Sequence, residues 1–139
     1  MNNMGEPRIK IVAMPKDTNP AGNIFGGWIM SQIDIAGALA TRDLYIENVV
    51  TVAVNSIEFK EPVFVGDTLS CYAKIIHVGE TSLKVAVEVT AERTHNCSRR
   101  CLHVTSATIT YVHVNEAGRK QKIECSENQK IVLGIKSAN

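Results

Sequence analysis

The chain has 139 residues, a formal net charge of +1 and 45% hydrophobic residues. That length suits one domain with room for a real core, and the near-zero charge gives no argument for a nucleic-acid or membrane partner. No apolar run reaches the length of a membrane span, and the opening MNNMGEPRIK lacks the apolar stretch of a signal peptide, so a single cytoplasmic domain over residues 1–139 is expected.

In chain order, residues 8–14 read as a short apolar-rich first strand. Residues 16–22, punctuated by Asp17, Asn19, Pro20 and Gly22, read as loop. Residues 27–42 are the one long helix. Residues 48–59, rich in valine, predict a strand. Pro62 and Gly66-Asp67 mark a turn. Residues 68–78 alternate Leu69, Cys71, Ala73 and Ile75 against Ser70, Tyr72 and Lys74. After a turn at Gly79-Glu80, residues 82–94 alternate Leu83, Val85, Val87 and Val89 against Lys84, Glu88, Thr90 and Glu92, as a half-buried strand does. Residues 95–100 read as a polar loop, 101–114 as a long strand, 115–118 as a turn and 127–136 as a short helix. Strand, helix and then four strands on short connections predict an α+β fold with antiparallel neighbours. Of the four cysteines, only Cys97 and Cys101 are close, and a lone C-x-x-x-C is a weak zinc signal. Reduced structural cysteines and no metal are expected.

Asp34 is the most informative residue. It sits in WIMSQIDIAGALA (residues 28–40), a stretch so uniformly small or apolar that the helix is expected to be covered on every side. A single sheet covers only part of it, and a second subunit is the natural source of the rest. An ionised carboxylate buried there is costly without partners, and such groups cluster where chemistry is done. Immediately upstream, Gly22-Asn23-Ile24-Phe25-Gly26-Gly27 brings backbone N–H groups to a helix N-terminus. The pair suggests a site that polarises a carbonyl and activates water. Gly27 and Asp34 lie seven residues apart on one helix face, about 10 Å along the axis. One carbonyl group does not span that distance, so a site combining the Asn23–Gly27 loop of one subunit with Asp34 of another is expected. Ser31, Gly37 and Ala38 on or near that face are small enough to admit a second helix or a ligand.

Four segments, AMPKDTNPAGNIFGGWIMSQIDIAG (13–37), VTVAVNSIEF (50–59), PVFVGDTL (62–69) and VGETSLKV (78–85), together resemble the hotdog-fold acyl-CoA thioesterases. The similarity is greatest to the YciA type, itself related to the brain acyl-CoA hydrolases, and covers roughly residues 8–123. The resemblance implies a hotdog fold, hydrolysis of acyl-CoA to carboxylic acid and coenzyme A without a separate cofactor, and assembly of a homo-oligomer, at least a dimer and often a trimer of dimers. It implies that the Gly27 N–H clamps the thioester carbonyl, that Asn23 positions water or substrate, and that Asp34 acts as general base or nucleophile. It further places the pantetheine arm of coenzyme A beside Val52, Ala53 and Val54, and the turn carrying Thr81, Ser82 and Leu83 beside the ligand. Trp28, Met30, Ile33 and Phe59 are candidates for lining the acyl pocket. Basic side chains at the strand ends, among them Arg93, Arg99 and Arg100, read equally well as phosphate contacts or as a solvated rim.

His77, His95, His103 and His113 all follow the helix, and none stands at its start. That argues against a hotdog dehydratase, which uses a histidine paired with an acid. No G-x-S-x-G marks a serine nucleophile. The alternative from a different class is a non-catalytic acyl-CoA or lipid-binding hotdog protein; Asn23 and Asp34 together favour the enzyme.

Overall fold

The computed structural model describes residues 4–135. Strands β1 (Ile9–Val12), β2 (Val49–Asn55), β3 (Thr68–Val78), β4 (Ser82–His95) and β5 (Ser98–His113) form one antiparallel sheet in the order β1-β3-β4-β5-β2. The long helix α1 (Gly26–Ala40) packs against β3, β4 and β5. A 3-10 turn (Thr41–Leu44) continues α1, and a short helix α2 (Glu127–Leu133) ends the described chain.

The alternation in β3 and β4 does what the sequence suggests. Leu69, Cys71, Ala73 and Ile75 join Leu83, Val85, Val87 and Val89 on a buried face. Against it α1 sets Ile29, Ile33, Ala36 and Ala40. Each fully buried valine, leucine or isoleucine contributes about 1.5–3 kcal/mol, so this layer fixes the helix on the sheet. Two acids brace the periphery. Arg8 pairs with Asp43 at 2.6 Å, tying the chain before β1 to the turn after α1. Arg93 grips Asp67 through two hydrogen bonds of 3.0 and 2.8 Å and caps the carbonyl of Pro62 at 3.2 Å. One of the candidate basic contacts is therefore spent inside the fold.

Several expectations need correction. The valine-rich strand stops at Asn55 rather than residue 59, because Ser56 takes a left-handed conformation (φ 56°) that breaks the extended run. Residues 56–67 then form a long connection, so β2 does not pair with its successor β3; it crosses to the far edge and pairs with β5. The polar loop at 95–100 is a hairpin turn only two residues long. Asn96 and Cys97 both have positive φ, and His95 already pairs with Ser98. The first strand is shorter than expected, since the chain turns into a 3-10 segment (Pro15–Asp17) after Ala13 donates to the Asp67 carbonyl. The C-terminal helix is present over Glu127–Leu133, with Ser126 and Gln129 forming a reciprocal cap; residue 136 lies outside the described residues.

The helix is not covered all round by its own chain. Met30 and Ile35 are exposed on α1 and Phe25 at its N-cap, as are Val50, Val52 and Val54 on the edge strand β2.

Candidate active site

The start of α1 is held by its own loop. The Asn19 side-chain oxygen accepts the backbone N–H of Ala21 at 3.0 Å and of Asn23 at 3.1 Å, while the Asn19 N–H donates to the Asn23 carbonyl at 2.7 Å. This Asx-type turn fixes the Asn23 backbone and leaves its side-chain amide without a hydrogen bond among the described residues. Ile24 donates to the Val63 carbonyl and Phe25 to the Asp17 carbonyl, each at 2.9 Å. Phe25 is the N-cap and supplies no side-chain cap, and the first turn holds no acid. The N–H groups of Gly26 and Gly27 therefore have no acceptor among the described residues. Unspent donors at the positive end of a helix dipole are what a developing oxyanion needs. Gly26 lies under the ring of Phe59, whereas the space a Cβ would take at Gly27 is open.

Asp34 sits two turns further on, half-buried rather than buried, where α1 meets β2 and β5. Thr51 donates its hydroxyl to Asp34 Oδ1 at 2.8 Å. The Tyr111 hydroxyl lies 2.8 Å from the Asp34 main-chain oxygen and 3.1 Å from Oδ1. Oδ2 has no partner, and no cation pairs with the carboxylate, among the described residues. Burial, then the neighbouring Asp34 carboxylate, push the Tyr111 phenol far above its ordinary value of 10.0, so it stays protonated and acts as a donor.

Sheet register joins the remaining candidates to Asp34. Thr51 is paired with Tyr111, and Tyr111 with Leu83, in one row across β2, β5 and β4. Val52, Ala53 and Val54 follow Thr51 on the exposed edge strand. Leu83 is wholly buried with its side chain in the core, so the polar atoms of the 79–83 turn come from its half-buried neighbours Thr81 and Ser82. The turn is braced by Gly79 donating to the Ser82 carbonyl at 2.7 Å and His113 donating to the Thr81 carbonyl at 2.8 Å.

The candidates thus fall into two groups. Asn23 and Gly27 stand at the helix start with Phe59 and Val63. Asp34, Thr51, Tyr111 and the 81–83 turn lie along the helix towards its other end. A cavity of about 510 Å³, lined by Arg42, Tyr45, Ile46, Glu47 and Asn48, lies away from the helix start and Asp34. Of the proposed acyl-pocket residues, Met30 and Phe59 face the open surface, while Ile33 points into the core. Gly37 does not admit a second helix, because the Tyr111 hydroxyl fills the space beside it.

Thr51 and Tyr111 were not singled out from the sequence. Both are hydroxyl-bearing residues set among apolar neighbours in strands, in VVTVAV and TITYV, and their partner is 17 and 77 residues away.

A long helix laid on an antiparallel sheet, with an uncapped glycine start and a carboxylate held by hydroxyls, has the architecture of a hotdog domain. The chain belongs to the thioesterase superfamily, whose family signature matches residues 21–98. It is 39% identical over 121 residues to an acyl-CoA thioester hydrolase YciA of Salmonella typhimurium, covering 86% of this chain and 90% of that protein. Among solved structures it is similar to a hexameric hotdog fold thioesterase of Campylobacter jejuni, with 56% identity, a TM-score of 0.88, and coverage of 96% of this chain and 100% of that one. A hexameric broad specificity acyl-coenzyme A thioesterase superposes with a TM-score of 0.81 at 40% identity, covering 95% of this chain and 90% of that one. Among the described residues no helix is long and apolar enough to cross a membrane.

Proposed function

We propose that this protein hydrolyses acyl-CoA thioesters to the free carboxylic acid and coenzyme A in a site shared between two subunits. The observation that carries the reading is the state of Asp34. Among the described residues its carboxylate is oriented by two hydroxyls through one oxygen, has no counter-cation, and keeps the second oxygen free. It stands on the same helix as the unspent Gly27 N–H.

In this reading the Gly27 N–H, with the helix dipole behind it, holds the thioester oxygen as negative charge develops. The Asn23 amide positions water or substrate. As general base, Asp34 takes a proton from water while the water oxygen adds to the carbonyl carbon. The tetrahedral intermediate then expels the coenzyme A sulfur, which takes up that proton. As nucleophile, Asp34 would attack the carbonyl carbon and expel the coenzyme A thiolate, leaving an acyl anhydride; water then cleaves it to the free acid and the Asp34 carboxylate, and the thiolate takes up the proton released. The pantetheine arm is assigned to the exposed edge at Val52, Ala53 and Val54, beside Thr81, Ser82 and the main chain of Leu83. The reaction draws only on water, a carboxylate and backbone donors, with coenzyme A entering as part of the substrate.

The shared site follows from separation. Gly27 and Asp34 of one chain are about 10 Å apart along α1, and the 81–83 turn is tied to the Asp34 side of the helix through Tyr111. Met30 and Ile35 on α1 and Val50, Val52 and Val54 on β2 are exposed apolar side chains that a second subunit would cover. A second copy laid on them would bring the helix start of one subunit to the Asp34 of the other. A dimer is the minimum assembly, and a trimer of dimers accords with the hexameric relatives. A cytoplasmic location completes the proposal.

Thiol release from a panel of short to long acyl-CoAs tests the activity. Rapid hydrolysis is expected; tight coenzyme A binding with no release from any of them would overturn the reading in favour of a binding protein. Mixed oligomers of an Asn23→Ala chain with an Asp34→Ala chain test the sharing. Each variant alone is expected to be inactive and the mixture to recover part of the activity. A mixture that forms heterodimers yet stays inactive rules the shared site out.

A further inference from the structure

We infer that Tyr111 is a positioning residue for the reacting carboxylate, and that residue 37 is a glycine to make room for its hydroxyl. The inference rests on the thioesterase reading of Asp34.

Tyr111 is wholly buried on β5, and its ring belongs to the core. A phenylalanine would fill the same volume. The hydroxyl is what reaches the helix, and there it meets two acceptors of a single residue: the Asp34 carbonyl oxygen and the Asp34 Oδ1. Contact with both fixes the carboxylate relative to its own backbone. Thr51 adds a second hydroxyl to the same oxygen. Oδ1 is thus held from two strands, and Oδ2 is the oxygen left to face water or substrate. The phenol is kept protonated by burial and by the adjacent carboxylate, so its role is that of a fixed donor and not of an acid or base in turnover.

Gly37 supplies independent support. It lies one turn beyond Asp34 on the same helix face and is fully buried within α1. Glycine in a helix interior is unfavourable relative to alanine. A Cβ at this position would overlap the Tyr111 hydroxyl and stand 3.1 Å from the Tyr111 Cζ and 3.2 Å from the Ile109 Cδ1. The severe conflict is with the hydroxyl itself. The glycine makes room for an oxygen that packing does not require.

The test compares steady-state kinetics of Tyr111→Phe, Asp34→Asn and the double variant, with melting temperature and oligomer size measured on each. Tyr111→Phe is expected to lower kcat by about ten- to hundredfold, the range for a lost hydrogen bond to a charged group, with KM changed by less than about twofold. In the Asp34→Asn background the same change is expected to have no further effect on kcat. Gly37→Ala is expected to lower kcat by a similar factor, and the Gly37→Ala/Tyr111→Phe double variant to fall no lower than Tyr111→Phe alone. A Tyr111→Phe enzyme with unchanged kcat, beside an Asp34→Asn enzyme that has collapsed, overturns this inference and leaves the thioesterase reading standing. A fall in kcat that persists in full in the Asp34→Asn background would also overturn it, since the tyrosine would then act elsewhere. An Asp34→Asn enzyme with full activity overturns the underlying reading instead.

Discussion

Two aspartates divide the labour of this fold. Asp67 is 2% exposed and saturated: Arg93 holds both its oxygens, and the Phe64 N–H donates to it at 2.9 Å. Arg93 also covers the ring of Phe64, 4.6 Å from its centre. Asp34 is half-buried, and among the described residues its carboxylate meets only hydroxyls and has one oxygen free. A buried acid with a cation and a backbone donor is committed to structure. An acid oriented by neutral donors, with neither counter-charge nor full coordination, is set up to react. The contrast also assigns the neighbouring loop. Asp67 and Arg93 fix residues 62–67, and Val63 in that loop receives the Ile24 N–H, so the structural acid steadies the helix start that carries the Gly27 N–H.

The comparison breaks most visibly at Asp67. Asp67→Ala removes the partner of a partly exposed Arg93 and orphans the Phe64 N–H, and is expected to destabilise the chain by about 1–3 kcal/mol. Denaturant unfolding reads that loss. Activity per folded molecule should change far less, and a collapse of kcat at unchanged stability would erase the distinction between the two acids.

Thr51 sharpens the Asp34 side. Thr51→Val removes one donor with little change in volume and is expected to reduce kcat by about tenfold. Thr51→Ser, which keeps the hydroxyl, should recover most of it. Equal loss in both variants would mean that the methyl and not the hydroxyl matters.

The smallest effect concerns thiols. Burial pushes the Cys71 thiol from 9.0 up to about 12. The folded chain therefore holds that proton more tightly than the unfolded chain. The associated stability is complete below pH 9 and is lost as pH rises towards 12. At pH 8 a thiol-alkylating reagent followed by peptide mapping should leave Cys71 unmodified while the folded protein persists. Labelling of Cys71 as fast as in denatured protein would contradict its placement in the core.

The parts of this fold legible in the sequence are those written locally. The strand Thr68–Val78 lies between turn residues at Gly66-Asp67 and Gly79-Glu80, and its alternation needs no distant information. The α1 pattern was equally plain, as were Asn23, Gly27 and Asp34 within one continuous segment. What was hidden was long-range. Nothing near Val49–Asn55 says that it pairs with β5 and not with the next strand in the chain. The hairpin at Asn96-Cys97 uses two left-handed residues without the usual glycine, so it read as a longer loop. Thr51 and Tyr111 look like ordinary strand residues until register sets them side by side under Asp34. The small residue Gly37 was noticed, but its reason was not, because the atom that fills the gap comes from 74 positions further along, at residue 111.

The most direct test of the division between the acids is Asp34→Asn, with kcat for acyl-CoA hydrolysis and melting temperature measured on the same preparation. The account expects kcat to fall by at least about a hundredfold, the lower range for removal of a general base, while melting temperature and oligomer size hold. A variant that melts well below the parent yet retains its kcat would contradict it, and would make Asp34 a structural acid like Asp67.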